Sequence, residues 1–163
     1  MTARWLRHLF CDRSSARRAF PREALLAIEA ATAAGEKRHS GQLRFVVEAS
    51  LPVSRVWRGV DARHRAIELF GELGIWDTEA NNGVLIYLLL ADRQVEILAD
   101  RGIHARVGDL AWQVICGHME RAFRQGDYQG GAVQGINAIC ELLERHFPAH
   151  GGSNELPDAP LML

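Results

Sequence analysis

The sequence predicts an α/β fold, a three-layer α/β/α sandwich around a small mixed sheet, on three observations. The first is a run of eight apolar residues, Val84 to Ala91, that turns at Asp92-Arg93 and returns through Val95, Ile97 and Ala99. So long an apolar run marks a central strand covered on both faces, and the tight turn makes its return antiparallel. The second is a strand, then a helix, ahead of that run. A strand–helix–strand unit places its two strands parallel. The third is a pair of long helical patterns that close the chain and supply a covering layer.

The elements follow in order. Trp5, Leu6, Leu9 and Phe10 lie at helical spacing among Arg4, Arg7 and His8, a short amphipathic segment suited to pack on the body or to touch a membrane surface. Proline is tolerated in a helix's first turn, so a helix should begin at Pro21 and run through Leu25 and Ile28 to about Lys37. Ser40-Gly41 then breaks it. Leu43, Phe45 and Val47 alternate with their neighbours in a first strand that ends near Glu48. A helix over about Asp61–Leu73 carries Ala62, Ala66, Phe70 and Leu73 on one stripe. Val107, Leu110, Ala111, Val114, Ile115, Met119 and Ala122 mark the next helix, ended at Gly126. Asp127 is an N-cap for the last one, which runs through Ile136 and Cys140 to Phe147 and stops at Pro148. Residues 149–163 hold the Gly- and Pro-rich string HGGSNELPDAP and are expected to be disordered. The division expected is therefore a basic arm at 1–19, an α/β/α domain at 20–148, and a tail.

Charge is unevenly spread. Residues 1–22 hold six arginines against Asp12, a net of +5, and the rest holds 13 basic and 19 acidic side chains, a net of −6. A basic arm on an acidic body points to an anionic or membrane-associated partner, or to docking of the arm on the body. Arginines confined to one short arm argue against a nucleic-acid partner. Three cysteines with no metal-type spacing fit a reducing compartment. With no signal-type apolar core and no run near the ~20 residues that span a bilayer, the expected location is cytoplasmic.

Common catalytic signatures are missing: no glycine-rich phosphate loop, no Gly-x-Ser-x-Gly elbow and no Cys-x-x-Cys. Cys116 and His118 are two apart on a helix and face different ways. The histidines of His146-Phe-Pro-Ala-His150 suit a helix C-terminus, and Gly130, Gly131 and Gly135 suit close packing. What remains is one end of the sheet. The topology brings Gln42 at the start of the first strand, Asn81-Asn82 at the start of the second and Asp100 after the third to that end, with Asp77 and Thr78 in the feeding loop. These are hard oxygen donors of the kind that hold Ca²⁺ or Mg²⁺. The same residues also read as turn and capping chemistry, with Asp100 bonded to the Arg101-Gly102 turn.

Four blocks in order carry a resemblance: SGQLRFVVE (Ser40–Glu48), AIELFGELGIWDTEANNGVLIYLL (Ala66–Leu89), ILADRGIHARVGDLAW (Ile97–Trp112) and FRQGDYQGGAVQGINAICELLERHFP (Phe123–Pro148). Together they resemble the TPM domain, a family named for a thylakoid-lumen phosphatase, in its short bacterial form without signal peptide or membrane anchor. The resemblance implies the same α/β/α fold, divalent-cation binding in some members, phosphatase activity in plant members and accessory roles in others. Its polar pattern falls on Gln42, Thr78, Asn82, Asp100 and Gly102, with Arg101 able to add charge beside Asp100. Two positions depart from the pattern. Gln42 stands where the short form usually has an acidic residue, and Phe20-Pro21-Arg22-Glu23 stands where the long form carries aspartates. The expected function is binding of a divalent cation or small polar ligand near Asn82 and Asp100, with phosphatase-type hydrolysis as an extension. The alternative is an accessory module that docks through its basic arm.

Overall fold

The computed structural model describes residues 3–163. Its core is a four-stranded sheet in the order β3-β2-β1-β4, formed by β1 (Gln42–Glu48), β2 (Gly83–Leu89), β3 (Gln94–Ala99) and β4 (Leu161–Met162). β1 and β2 are parallel, with Gln42 opposite Gly83 and Glu48 opposite Leu89. β3 returns antiparallel with Val84 opposite Ala99. Every residue of β2 is buried, as expected of a strand that the chain sandwiches between two layers.

The side chains divide by parity. Leu43, Phe45, Val47, Val84, Ile86 and Leu88 face one core, against α3 (Arg22–Glu36), α7 (Asp109–Arg124) and α8 (Tyr128–His146). Val46, Leu85, Tyr87 and Leu89 face the other, against α5 (Ala62–Glu72). The α7–α8 contact is close because Gly131 and Gly135 carry no side chain. A Cβ on either would collide, with Ala122 and Phe123 or with Met119. Asp127 caps α8 by accepting from Gly130 N–H at 2.9 Å.

Three short helices were not marked by the sequence: α2 (Arg13–Ala19), α4 (Val53–Trp57) and α6 (Arg101–Val107). α1 (Arg4–Phe10) forms where its spacing predicts, and it docks through its polar side. Asp92 in the β2–β3 turn receives Arg4 at 2.8 Å, Arg7 at 3.1 Å and His8 Nε2 at 3.1 Å. His8 Nδ1 accepts from Leu51 N–H at 2.9 Å, so Nε2 holds the proton and donates to the carboxylate.

The tail expectation is corrected. Residues 161–162 form β4, parallel to β1, with Val46 opposite Leu161 and Val47 opposite Met162. Leu156 is buried in the α5-side core, and Arg44 holds the carbonyls of Pro157 at 3.0 Å and Ala159 at 2.6 Å. The physical reason is the unpaired edge that β1 would otherwise present. Five apolar residues scattered through the tail, from Leu156 to Leu163, cover it.

Candidate functional site

The end of the sheet where β1 and β2 begin is built from backbone strain and short polar side chains. The chain enters β2 through a turn in which Asn81 N–H bonds Thr78 O at 3.1 Å and Asn81 takes a left-handed φ of 50°, a conformation asparagine tolerates. Thr78 Oγ1 accepts from Asn82 N–H at 3.0 Å, which fixes the turn. Asn82 then bonds both ways across the parallel pair: its carbonyl receives Gln42 N–H at 3.0 Å and its Nδ2 donates to Ser40 O. Gly83 follows because its missing Cβ lets the strand pass against the Ile75 carbonyl.

Across the hairpin, Asp100 N–H bonds Gly83 O at 2.9 Å, and Asp100 caps α6 with Oδ1 accepting from Arg101 N–H at 2.6 Å. Gly102 lies beside the loop, its Cβ position 3.6 Å from Asn81 O. Thr78, Asn81, Asn82, Asp100 and Gly102 are therefore gathered at one end, as the topology predicts. Two of their buried oxygens, Asn82 Oδ1 and Asp100 Oδ2, have no hydrogen-bond partner. A buried acceptor left without a donor costs about 1–3 kcal/mol, so two such oxygens stand out, one on Asn82 next to Gly83 and one on Asp100, whose N–H bonds Gly83 O.

Three other expected residues differ in their partners or exposure. Gln42 Oε1 accepts from Glu155 N–H at 2.7 Å and Leu156 N–H at 3.2 Å, which uses both of its lone pairs. Its oxygen holds the tail and is not a free ligand. Arg101 is exposed and lines a different cleft, beside β3 and α7, together with Arg63 and His104. Asp77 is exposed on the turn before Thr78, with its N–H bonded to Gly74 O at 3.0 Å. Among the described residues, no three His, Cys, Asp or Glu side chains are gathered as a metal cluster.

A cleft of about 710 Å³ opens at this end between the last turn of α3 and the tail, lined by Glu36, His39, Gln42, Asn82, Glu155 and Asp158. Burial pushes Glu36 up to about 8, and the facing Asp158 adds to the shift, although Glu36 Oε1 accepts from Leu43 N–H at 2.6 Å. Burial pushes His39 down to about 4, and neither ring nitrogen has a partner. Glu36 and His39 escaped the sequence reading. Their only signal was their place in Glu36-Lys-Arg-His-Ser-Gly, which reads as a polar helix end.

The comparisons bear on this geometry. The profile of the TPM domain matches residues 17–142, most of the chain. The chain belongs to the TPM domain family. The NMR structure of the BA42 protein from the psychrophilic bacterium Bizionia argentinensis is similar, with 30% identity and a TM-score of 0.75 over 86% of this chain and 92% of that one. The N-terminal domain of a P. gingivalis protein, 22% identical over 76% of each chain with a TM-score of 0.58, shares the fold. No curated protein matches the chain. In this TPM domain no helix among the described residues is long and apolar enough to cross a membrane.

Proposed function

We propose that this TPM domain binds a divalent cation, Ca²⁺ or Mg²⁺, at the loops Thr78–Gly83 and Asp100–Gly102. The observation that carries the reading is that two buried oxygens at one end of the hairpin, Asn82 Oδ1 and Asp100 Oδ2, have no partners, on residues that adjoin Gly83 or bond its carbonyl. A hard cation supplies what such oxygens lack, and Asp100 supplies charge. Thr78 acts through Asn82 by fixing its backbone, and Gly102 keeps the α6 turn close to Asn81. Only one carboxylate, that of half-buried Asp100, belongs to the set, so the affinity falls at the weak end of protein Ca²⁺ sites, with a dissociation constant of about 0.1–1 mM.

Hydrolysis of a phosphate ester here would need the ion to hold the phosphate and activate water. The nearby hydroxyls are already engaged: Thr78 Oγ1 with Asn82 N–H, and Ser40 Oγ with Phe147 O at 3.4 Å. The proposal therefore stops at binding. The test is a Ca²⁺ and Mg²⁺ titration followed by amide NMR. Saturable shifts concentrated at Asn81–Gly83 and Asp100–Ile103 support it. Shifts spread over the acidic surface, or none, reject it.

A further inference from the structure

α1 is docked inside out. Residues four apart share a helix face, so Arg4 and His8 lie together, and this is the side that meets Asp92, with His8 buried. The opposite side holds Trp5, Leu6, Leu9 and Phe10. Of these Trp5 is 38% exposed, Leu9 57% and Phe10 77%. A surface helix ordinarily does the reverse, turning its apolar stripe to the core. α4 packs beside α1 and adds Trp57, which is 74% exposed.

The surroundings of this patch are basic. Arg13, Arg17 and Arg18 on α2, Arg58 next to Trp57, and Arg93 in the β2–β3 turn are all exposed. Arg7, Arg18 and Arg93 line an open cleft of about 930 Å³ together with Phe10. Arg4 and Arg7 share the single carboxylate of Asp92, and among the described residues none of Arg13, Arg17, Arg18, Arg58 and Arg93 has an acidic partner. Asp12, the one acidic residue of the arm, is bonded to Ser14 and Ser15 and caps α2.

We infer that this face is a docking surface for an anionic lipid bilayer. Two tryptophans, a phenylalanine and a leucine ringed by arginines have the composition of interfacial anchors, in which the rings enter the headgroup layer and the guanidinium groups meet lipid phosphates. The choice of a bilayer over a second copy rests on charge. The patch is net basic, with five arginines free of acidic partners among the described residues against exposed Asp12 and Asp127, so two copies face to face would repel, whereas the net −6 of the rest of the chain turns the body away from an anionic surface and the patch towards it. The inference is independent of the cation reading, which concerns the opposite end of β1 and β2.

The test is co-sedimentation of the full chain with vesicles of phosphatidylglycerol and phosphatidylcholine, against vesicles of phosphatidylcholine alone. Binding to the anionic vesicles that weakens with salt, and falls at least about tenfold in the Leu9→Ser/Phe10→Ser double variant, supports the proposal. Both positions are exposed, so the variant should keep the wild-type thermal midpoint. A second variant, Trp57→Ser, checks the neighbouring anchor if the double variant unfolds. The proposal is overturned by no binding to anionic vesicles, by equal binding of the variants, or by a wild-type dimer on gel filtration that the double variant converts to monomer.

Discussion

Replacing Glu36 by glutamine should change how stability depends on pH. Glu36 sits at the end of α3, accepts Leu43 N–H and faces Asp158, and burial raises it from an ordinary 4.5 to about 8. The folded chain therefore keeps a proton that the unfolded chain releases above about 4.5. Stability is fully present below that pH and is lost as the pH rises through about 8. At about 1.4 kcal/mol per pH unit the full span would be about 5 kcal/mol, and partial exposure of the carboxyl screens this to about 2. His39 acts in the opposite sense. Burial lowers it from 6.5 to about 4, so its share is present above 6.5 and is lost as the pH falls through about 4. The two oppose each other in mildly acidic solution, and of the two only Glu36 still contributes between pH 6.5 and 8. Glutamine can still accept Leu43 N–H and can donate to Asp158. Urea unfolding of both proteins across that window, a little under half of the span from 4.5 to about 8, should show the wild type losing about 1 kcal/mol relative to Glu36→Gln. Parallel profiles would refute the placement of a protonated Glu36 against the tail.

Other substitutions test other parts of the fold. Gly83→Ala should cost about 3 kcal/mol in urea unfolding, because the new methyl meets the Ile75 backbone, whereas Gly135→Ala meets only the flexible Met119 and should cost less. Leu156→Ala should cost about 2–3 kcal/mol and raise hydrogen exchange along β1, since Leu156 anchors the strand that covers its edge. Asp92→Ala should expose the amides of residues 3–12 to exchange and lower stability by about 1–3 kcal/mol, because it leaves Arg4 and the Nε2 of buried His8 without a partner. Wild-type exchange in any of these would remove the corresponding contact from the account.

What the sequence made legible was the part decided by period and turn chemistry. The run Val84–Leu90 announced a doubly covered strand, Asp92-Arg93 the hairpin, and Asp127 the start of the last helix, because each rests on a local rule. The tail was missed because Leu156 and Leu161–Leu163 have no periodicity. Their order depends on an open β1 edge that the chain reaches from more than a hundred residues away. α1 was found, but its polarity relative to the body could not be read from its own residues. Only the position of Asp92 decides which face turns inward.

The candidate site divides in the same way. Parallel pairing of β1 with β2 and antiparallel pairing of β2 with β3 are enough to bring Thr78, Asn82 and Asp100 to one end. Whether each oxygen is free is a matter of partners, and these lie far away in sequence. Gln42 is committed to the tail by Glu155 and Leu156, whereas Asn82 Oδ1 and Asp100 Oδ2 are not committed to anything.

The most direct test of the cation proposal is a thermal melt after chelator treatment, repeated with Ca²⁺ and with Mg²⁺, on wild type and Asp100→Asn. Ion at a hundred times the dissociation constant stabilises the folded chain by about 2.7 kcal/mol, which moves the midpoint of a domain this size by several degrees. Asparagine still caps α6, so the variant isolates the loss of charge from the loss of the turn. The account predicts a rise in the wild-type midpoint that Asp100→Asn abolishes. An unchanged wild-type midpoint, or an equal rise in both proteins, would contradict it and leave Asp100 as a helix cap.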